Sequence, residues 1–382
     1  MKTSTAIPVL VPRRYRWLPY LLIGLTLCAI PAGIYLIRVI ETHFVEAAGG
    51  ELQLAATEVA EKLDRMLFER RSDVLLTARM VSLRPSDPKY LVEYLKWIKT
   101  NFAPVYLSLT ATDAQGTVVA STEPSLVGRD YSLSAAFMAV RATRRLDIAD
   151  VAGLEMEESE VDTIAFTAPI LDAQGTFLGV VTFRVGVPFI AEVTTRTIRS
   201  LEARPKMGGR AEYEMLTKQG NVFATSDLSS KKGDNNLKEL GISSVRLSEA
   251  GIPGFIEEEH LRRHIQVVTG YAQTKGFGGF PGLGWSVLVR MDRQDILAPI
   301  HAYFWKVGVI GGTAWIFIMG LLLWATTRLR TEHLQAQQES AWAKAAEAAL
   351  LQSQERNRAI VDTALDGVIT IDSTGIVTDW NA

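Results

Sequence analysis

The sequence predicts an α+β chain in which two small sheet-bearing modules lie between two apolar helices, with a helical extension after the second. Three observations carry that prediction. Two uncharged runs of 21 residues, Trp17–Ile37 and Val307–Thr327, bracket a mixed segment. Inside that segment a short Asp/Gly turn recurs between runs rich in Val, Thr and Phe. Helix-like periodicity precedes the strand-like runs rather than alternating with them, which favours α+β over a wound parallel sheet.

At 1.5 Å rise per residue, 21 helical residues cover roughly 30 Å, the thickness of a bilayer's hydrocarbon core. Arg13, Arg14 and Arg16 precede the first run, and Arg328 and Arg330 follow the second. Trp305 and Trp324 stand near the ends of the second run, where amphipathic rings favour the headgroup level. The first run is too long for the apolar part of a signal peptide, and no A-x-A site closes it, so it reads as an uncleaved anchor. The positive-inside rule places both termini in the cytoplasm and residues 41–303 outside. The expected divisions are a cytoplasmic 1–16, a span over 17–40, an external segment over 41–303, a second span over 304–327, a linker helix over 328–355 and a last module beginning at 356. Neither span carries an acid or base at depth, as a transporter or channel would need.

The formal net charge of −2 gives no basis for binding nucleic acid. The single cysteine, Cys28, falls in the first span, which removes disulfides and thiolate metal sites from consideration.

The external segment opens with Leu52, Val59, Leu63, Met66, Leu67 and Val74 at three-, four- and seven-residue steps, the stripe of an amphipathic stalk helix. Leu91–Phe102 reads as a shorter helix. The period then drops to two, with Tyr106, Ser108 and Thr110 alternating against Leu107, Leu109 and Ala111. Four hairpins follow: LSLTATDAQGTVVAST around Asp113–Gly116, IAFTAPILDAQGTFLGVVTFRV around Asp172–Gly175, MLTKQGNVFATS around Lys218–Gly220, and GVITIDSTGIVTDW around Asp372–Gly375. Asp suits the start of such a turn because its carboxylate caps backbone N–H groups, and Gly suits the position with positive φ. The pattern predicts four short sheets in several small α+β units. A helix over Ile190–Ala203 separates two external units and breaks at Pro205–Gly209. Glycines between Gly276 and Gly284 predict a mobile turn, a candidate hinge, into a strand on Trp285, Val287 and Val289. Thr331–Ala364 lacks Gly and Pro and predicts one long helix, with Leu334, Ala341 and Ala348 at heptad spacing as a dimer seam.

No catalytic constellation is visible. Glu155, Glu157, Glu158, Glu160 and Asp162 lack the alternation and central Gly of a calcium loop and read as an exposed loop. His260 and His264 lack the HExxH order, and Leu261, Ile265 and Val267 place them on a strand, too far apart to share a zinc ion. GFGGFPGLG lacks the Lys-Ser/Thr ending of a phosphate loop.

LSLTATDAQGTVVAST, GRDYSLSAAF, TIAFTAPILDAQGTFLGVVTFRV and VTGYAQTKGFGGFPGLGWSVLV, in that order between two spans, resemble a double Cache domain. The resemblance implies two stacked PAS-like modules on a long stalk, the distal one over about 80–190 and the proximal one over about 205–295. ERNRAIVDTALDGVITIDSTGIVTDWNA resembles the opening of a PAS domain, of which the sequence holds about a quarter. Such arrangements imply a sensor that relays a small-molecule signal inward, most often a homodimeric histidine kinase acting on a response regulator. A diguanylate cyclase, a phosphodiesterase, a chemoreceptor or a tethered binding protein without signalling are the alternatives. No cofactor is expected in this chain; ATP and Mg²⁺ would belong to a kinase domain further along.

The resemblance implies a ligand site in the distal module. Tyr131, Phe137 and Phe166 are the expected apolar walls and Asp150 a polar contact. Amino-acid-binding relatives follow the GRDYS-like stretch with Arg, Pro, Trp and Tyr, whereas here Ser134, Ala135, Ala136 and Phe137 stand there. The usual carboxylate clamp is thus missing, which disfavours an α-amino acid bound in the usual way; a carboxylate ligand would need another cation, which Arg141, Arg144 or Arg145 could supply.

Overall fold

The computed structural model describes residues 18–82, 88–151, 162–203, 209–226, 236–362 and 369–380. The chain divides into two compact units, residues 32–302 and residues 1–31 with 303–382.

In the 32–302 unit, helix α1 (Leu18–Ser82) supplies the core of both modules. Leu52, Val59, Leu63, Leu67 and Val74 are all buried, as the stripe predicts, while Met66 is only half-buried. The chain continues through α2 (Pro88–Asn101), β1 (Tyr106–Thr112), β2 (Val118–Ser121), α3 (Ala135–Thr143), β3 (Asp147–Ala149), β4 (Thr163–Leu171) and β5 (Phe177–Gly186). These five strands form one antiparallel sheet in the order β2-β1-β5-β4-β3. Helix α4 (Val187–Glu202) leads to β6 (Glu212–Leu216), β7 (Val222–Thr225), α5 (Ser243–Glu249), β8 (Gly254–Glu259), β9 (Gln266–Gln273) and β10 (Ser286–Asp292). Their order, β7-β6-β10-β9-β8, repeats the first sheet's topology strand for strand. The two DAQG turns therefore belong to one sheet, and the four expected sheets resolve into three among the described residues.

The turn chemistry follows the sequence. Asp113 Oδ1 accepts from the N–H groups of Gln115 and Thr117 at 3.0 and 2.8 Å, and Asp172 Oδ1 does the same for Gln174 and Thr176 at 2.9 and 2.7 Å. Gly116 and Gly175 take φ of 97° and 80°, where a Cβ would be strained. These bonds to the charged form hold the Asp172 carboxyl below its ordinary range.

The glycine-rich turn is pinned to the stalk. Asp64 Oδ2 accepts from Lys275 N at 2.8 Å, and Phe68 meets Phe277 edge-on at 5.4 Å. Burial lifts the Asp64 carboxyl above its usual range, against the pull of the Lys275 and Gly276 N–H groups. The two histidines lie on a turn rather than a strand: β9 begins at Gln266, His264 has φ 49°, and its Nδ1 pairs with Glu259 at 2.9 Å.

Helix α6 (Arg293–Asp362) leaves the second sheet directly. At its start His301 Nε2 meets Glu41 Oε1 of α1 at 2.7 Å. That bond, aided by Arg38 at 3.8 Å, holds the Glu41 carboxyl below its ordinary range against the opposing effect of burial.

The other unit contains the rest of α6, which covers the expected linker helix as far as Asp362, and a hairpin of β11 (Ile369–Ile371) and β12 (Val377–Trp380). Asp372 Oδ1 caps that turn at Thr374 N and Ile376 N. Leu334 and Leu351 are exposed. Both α1 and α6 carry a stretch long and apolar enough to cross a membrane.

Candidate functional site

Strand alternation gives the first sheet two unlike faces. Leu109, Ala111, Ile164, Phe166, Phe183 and Val185 occupy one of them, all buried. On this side Tyr106 packs on Phe183 at 4.9 Å, lies under Arg70 of α1 and donates to Asp73, so the apolar face is the one turned to the stalk. The opposite face carries Ser108, Thr110, Thr167 and Thr182, with Arg184 on the central strand β5. Ser108, Thr110 and Thr167 are buried even though a core would favour apolar residues at such positions.

The cross-strand register aligns this polar face. Ser108 and Ala165 flank Arg184, and Thr110 and Thr167 flank Thr182. The Thr167 and Thr182 hydroxyls are 3.1 Å apart. Burial depresses the Arg184 guanidinium below its ordinary pKa, and the facing Tyr131 and Glu123 work against that. Asp147, opposite Thr167 at the sheet edge, has its carboxyl raised by burial. One end of the face is closed by α3, where Phe137 and Val140 pack with Phe177 and Val180. Ser134 caps that helix by accepting from Phe137 N at 3.3 Å. A guanidinium on a central strand, surrounded by hydroxyl groups, suits a small molecule bearing a carboxylate.

The five residues expected from sequence do not gather in one place. Tyr131 faces Arg184 and belongs to the polar face. Phe137 is part of the α3 packing cluster, and Phe166 is fully buried on the stalk side of the sheet. Arg141 is exposed on α3. Asp150 reaches into the second module, where both carboxylate oxygens accept from Trp285 Nε1 at 3.1 and 3.2 Å. Of the acidic run, only Asp162 lies within the described residues. Arg184 was missed because an Arg between Phe183 and Val185 passes for a solvated interruption. The signal that finds it is the period-two series of Ser108, Thr110, Thr112, Thr163, Thr167, Thr182 and Arg184 on adjoining strands.

The Asp150–Trp285 contact yields a direct prediction. Burial raises the Asp150 carboxyl above its ordinary 3.8, opposed by bonds from Val151 N and Trp285. The folded state thus holds this proton more tightly than the unfolded chain. Its contribution to stability is complete below 3.8 and is lost as pH rises through the raised folded value. Trp285→Phe, which removes the donor together with the pyrrole half of the buried indole, is expected to destabilise by about 1–3 kcal/mol at pH 7 through the lost hydrogen bond, on top of a packing loss that does not vary with pH. The deficit should shrink as pH falls and Asp150 takes up its proton, which urea titrations at several pH values would measure.

Residues 40–300 match the dCache_1 family profile, described as a Cache domain. No curated protein sequence matches the chain significantly. Among solved structures, an extracellular ligand binding receptor from Desulfohalobium retbaense shares 15% identity at a TM-score of 0.46, over 63% of this chain and 40% of that one. The extracellular domain of a putative histidine kinase, rpHK1S-Z16, shares 16% at 0.45, over 71% of this chain and 98% of that one. The ligand binding domain of the Pseudomonas aeruginosa PAO1 amino acid chemoreceptor PctC, in complex with GABA, shares 18% at 0.46, over 64% and 100%. With the profile covering more than half of its length, this chain belongs to the Cache domain family.

Proposed function

We propose that this chain is the input and relay portion of a membrane-bound receptor, and that a small carboxylate-bearing molecule binds the polar face of its first, distal module. The observation that carries the reading is Arg184, placed on the central strand among buried hydroxyls. A ligand there shifts the balance between two arrangements of the sensor by its differential affinity for them. The apolar stretches of α1 and α6 serve as the two membrane spans, with both termini cytoplasmic. The shift then passes through α6 to the β11–β12 hairpin, read as the front of a PAS domain in a homodimer. A histidine kinase acting on a response regulator is the output proposed first; a cyclase, phosphodiesterase or chemotaxis output accommodates the same input. The membrane span with its helical extension favours a relay over a tethered binder.

The test is a thermal-unfolding screen of the full chain in lipid nanodiscs against small mono- and dicarboxylic acids. A ligand should raise the midpoint in a dose-dependent way. Arg184→Gln should weaken that response roughly 10- to 100-fold in concentration, from the loss of charge-assisted bonds. If no carboxylate in the screen distinguishes wild type from Arg184→Gln, this site is ruled out.

A further inference from the structure

A second concave site lies at the outer edge of the same sheet and shares none of the polar-face residues. Strand β3 is three residues long and pairs with β4 only from Ala165 to Thr167. Past Thr167, the outer edge of β4 borders a cleft of about 730 Å³, within the range of small-molecule sites. Three separate parts of the fold converge on it. Helix α1 contributes Arg71, Leu75 and Arg79, at spacings that put them on one helix face. The α3–β3 connection contributes Arg144 and Arg145, and the glycine-rich turn of the second module contributes Phe280.

Four guanidinium groups thus border one cleft, and among the described residues no carboxylate lines it. None of the four makes an ion pair with another described residue; Arg144 instead lies over the Phe177 ring at 4.5 Å. Scattered surface arginines are ordinary, but here they rim a concave apolar floor that includes Leu75, Ile148 and Phe280. Such a floor binds apolar surface, and such a rim binds an oxyanion in the bidentate fork that guanidinium favours. Two features narrow the occupant. Pro169 stands on the uncovered edge of β4 without an N–H to donate, so an added peptide strand is interrupted there. Arg71 is 30 residues beyond Glu41 on α1, about 45 Å along the helix, which puts the cleft out of reach of lipid at the apolar stretch.

We infer that this cleft is a second ligand site, for a soluble organic anion with an apolar body and a carboxylate or sulfonate head. Its occupant touches the stalk, the first module and the turn of the second at once, and so holds the two modules in a fixed relation.

The test uses the full chain in nanodiscs and isothermal titration with naphthalene-2-sulfonate, its neutral counterpart 2-naphthalenemethanol, and empty nanodiscs as background. Wild type should bind the sulfonate saturably at one site per chain, and the alcohol at least tenfold more weakly. Arg71→Gln/Arg144→Gln should weaken sulfonate binding by tenfold or more. Arg79→Gln/Arg145→Gln, at exposed positions where folding is not at stake, should do the same. Arg184→Gln should leave it unchanged, which separates this site from the polar face. Absence of saturable binding by wild type, equal binding of the alcohol, or indifference to both double variants would each overturn the inference.

Discussion

Gly270→Ala is expected to lower stability by about 3 kcal/mol, at the upper end of overpacking costs. A Cβ at this position in β9 would lie 2.2 Å from the carbonyl carbon of Leu52 and 2.4 Å from Gln53 N. Both are backbone atoms of α1, so no rotamer change relieves the contact, and the second sheet must move off the stalk. Two neighbouring glycines calibrate the result. At Gly49 the added Cβ meets only the Phe255 ring, a side chain that is able to turn aside, so the cost should be smaller. At Gly50, inside α1 with open space around it, alanine should stabilise by about 0.5–1 kcal/mol through helix propensity. Denaturant midpoints of the three variants test the ranking. Wild-type stability in Gly270→Ala would mean that β9 does not rest on the α1 backbone.

Arg290→Met is expected to cost about 3–5 kcal/mol. Arg290 Nη2 and Glu214 Oε2 lie 2.9 Å apart, with side chains only 8% and 6% exposed. Removing the cation strands a carboxylate in the second sheet, beside a core of Leu216, Leu237, Val245, Tyr271 and Leu288. Adding Glu214→Leu removes the stranded charge, and the double variant should regain most of the loss because well-packed apolar replacements of buried pairs are often neutral. Equilibrium unfolding of wild type, both single variants and the double variant gives the coupling directly. If Arg290→Met alone is harmless, the pair is reached by water and does not organise the module.

What could be read from the sequence follows the range of each interaction. The Asp–Gly turns are local chemistry, legible four residues at a time, and Asp113, Asp172 and Asp372 all cap as their spacing predicts. The stalk stripe from Leu52 to Val74 is legible for the same reason, since periodicity within one helix needs no partner. Sheet membership is not local. Two DAQG hairpins in one sheet look the same in sequence as two hairpins in two sheets, and only the β1–β5 pairing joins them. Nor does alternation reveal which face of a strand meets the stalk. Phe166 is indistinguishable by pattern from a pocket wall, yet it lies on the buried stalk side, while Arg184 two strand positions from Thr182 lies on the other. Asp150 finds Trp285 across 135 residues, a contact with no trace in either neighbourhood. The glycine-rich turn reads as a hinge by composition, and what composition does not show is the positive φ at Gly276, Gly278, Gly279, Gly282 and Gly284 and the bond from Lys275 N to Asp64 of the distant stalk.

The bond between His301 and Glu41 joins residues 260 positions apart in the chain. Everything between them is an excursion that returns to where it left, and segments with adjacent ends tolerate being cut out and inserted elsewhere. Evolution, or an engineer, therefore has a ready splice point at this pair. The whole sensing cassette is exchangeable for another with the same spacing at its base, without redesigning either flanking helix.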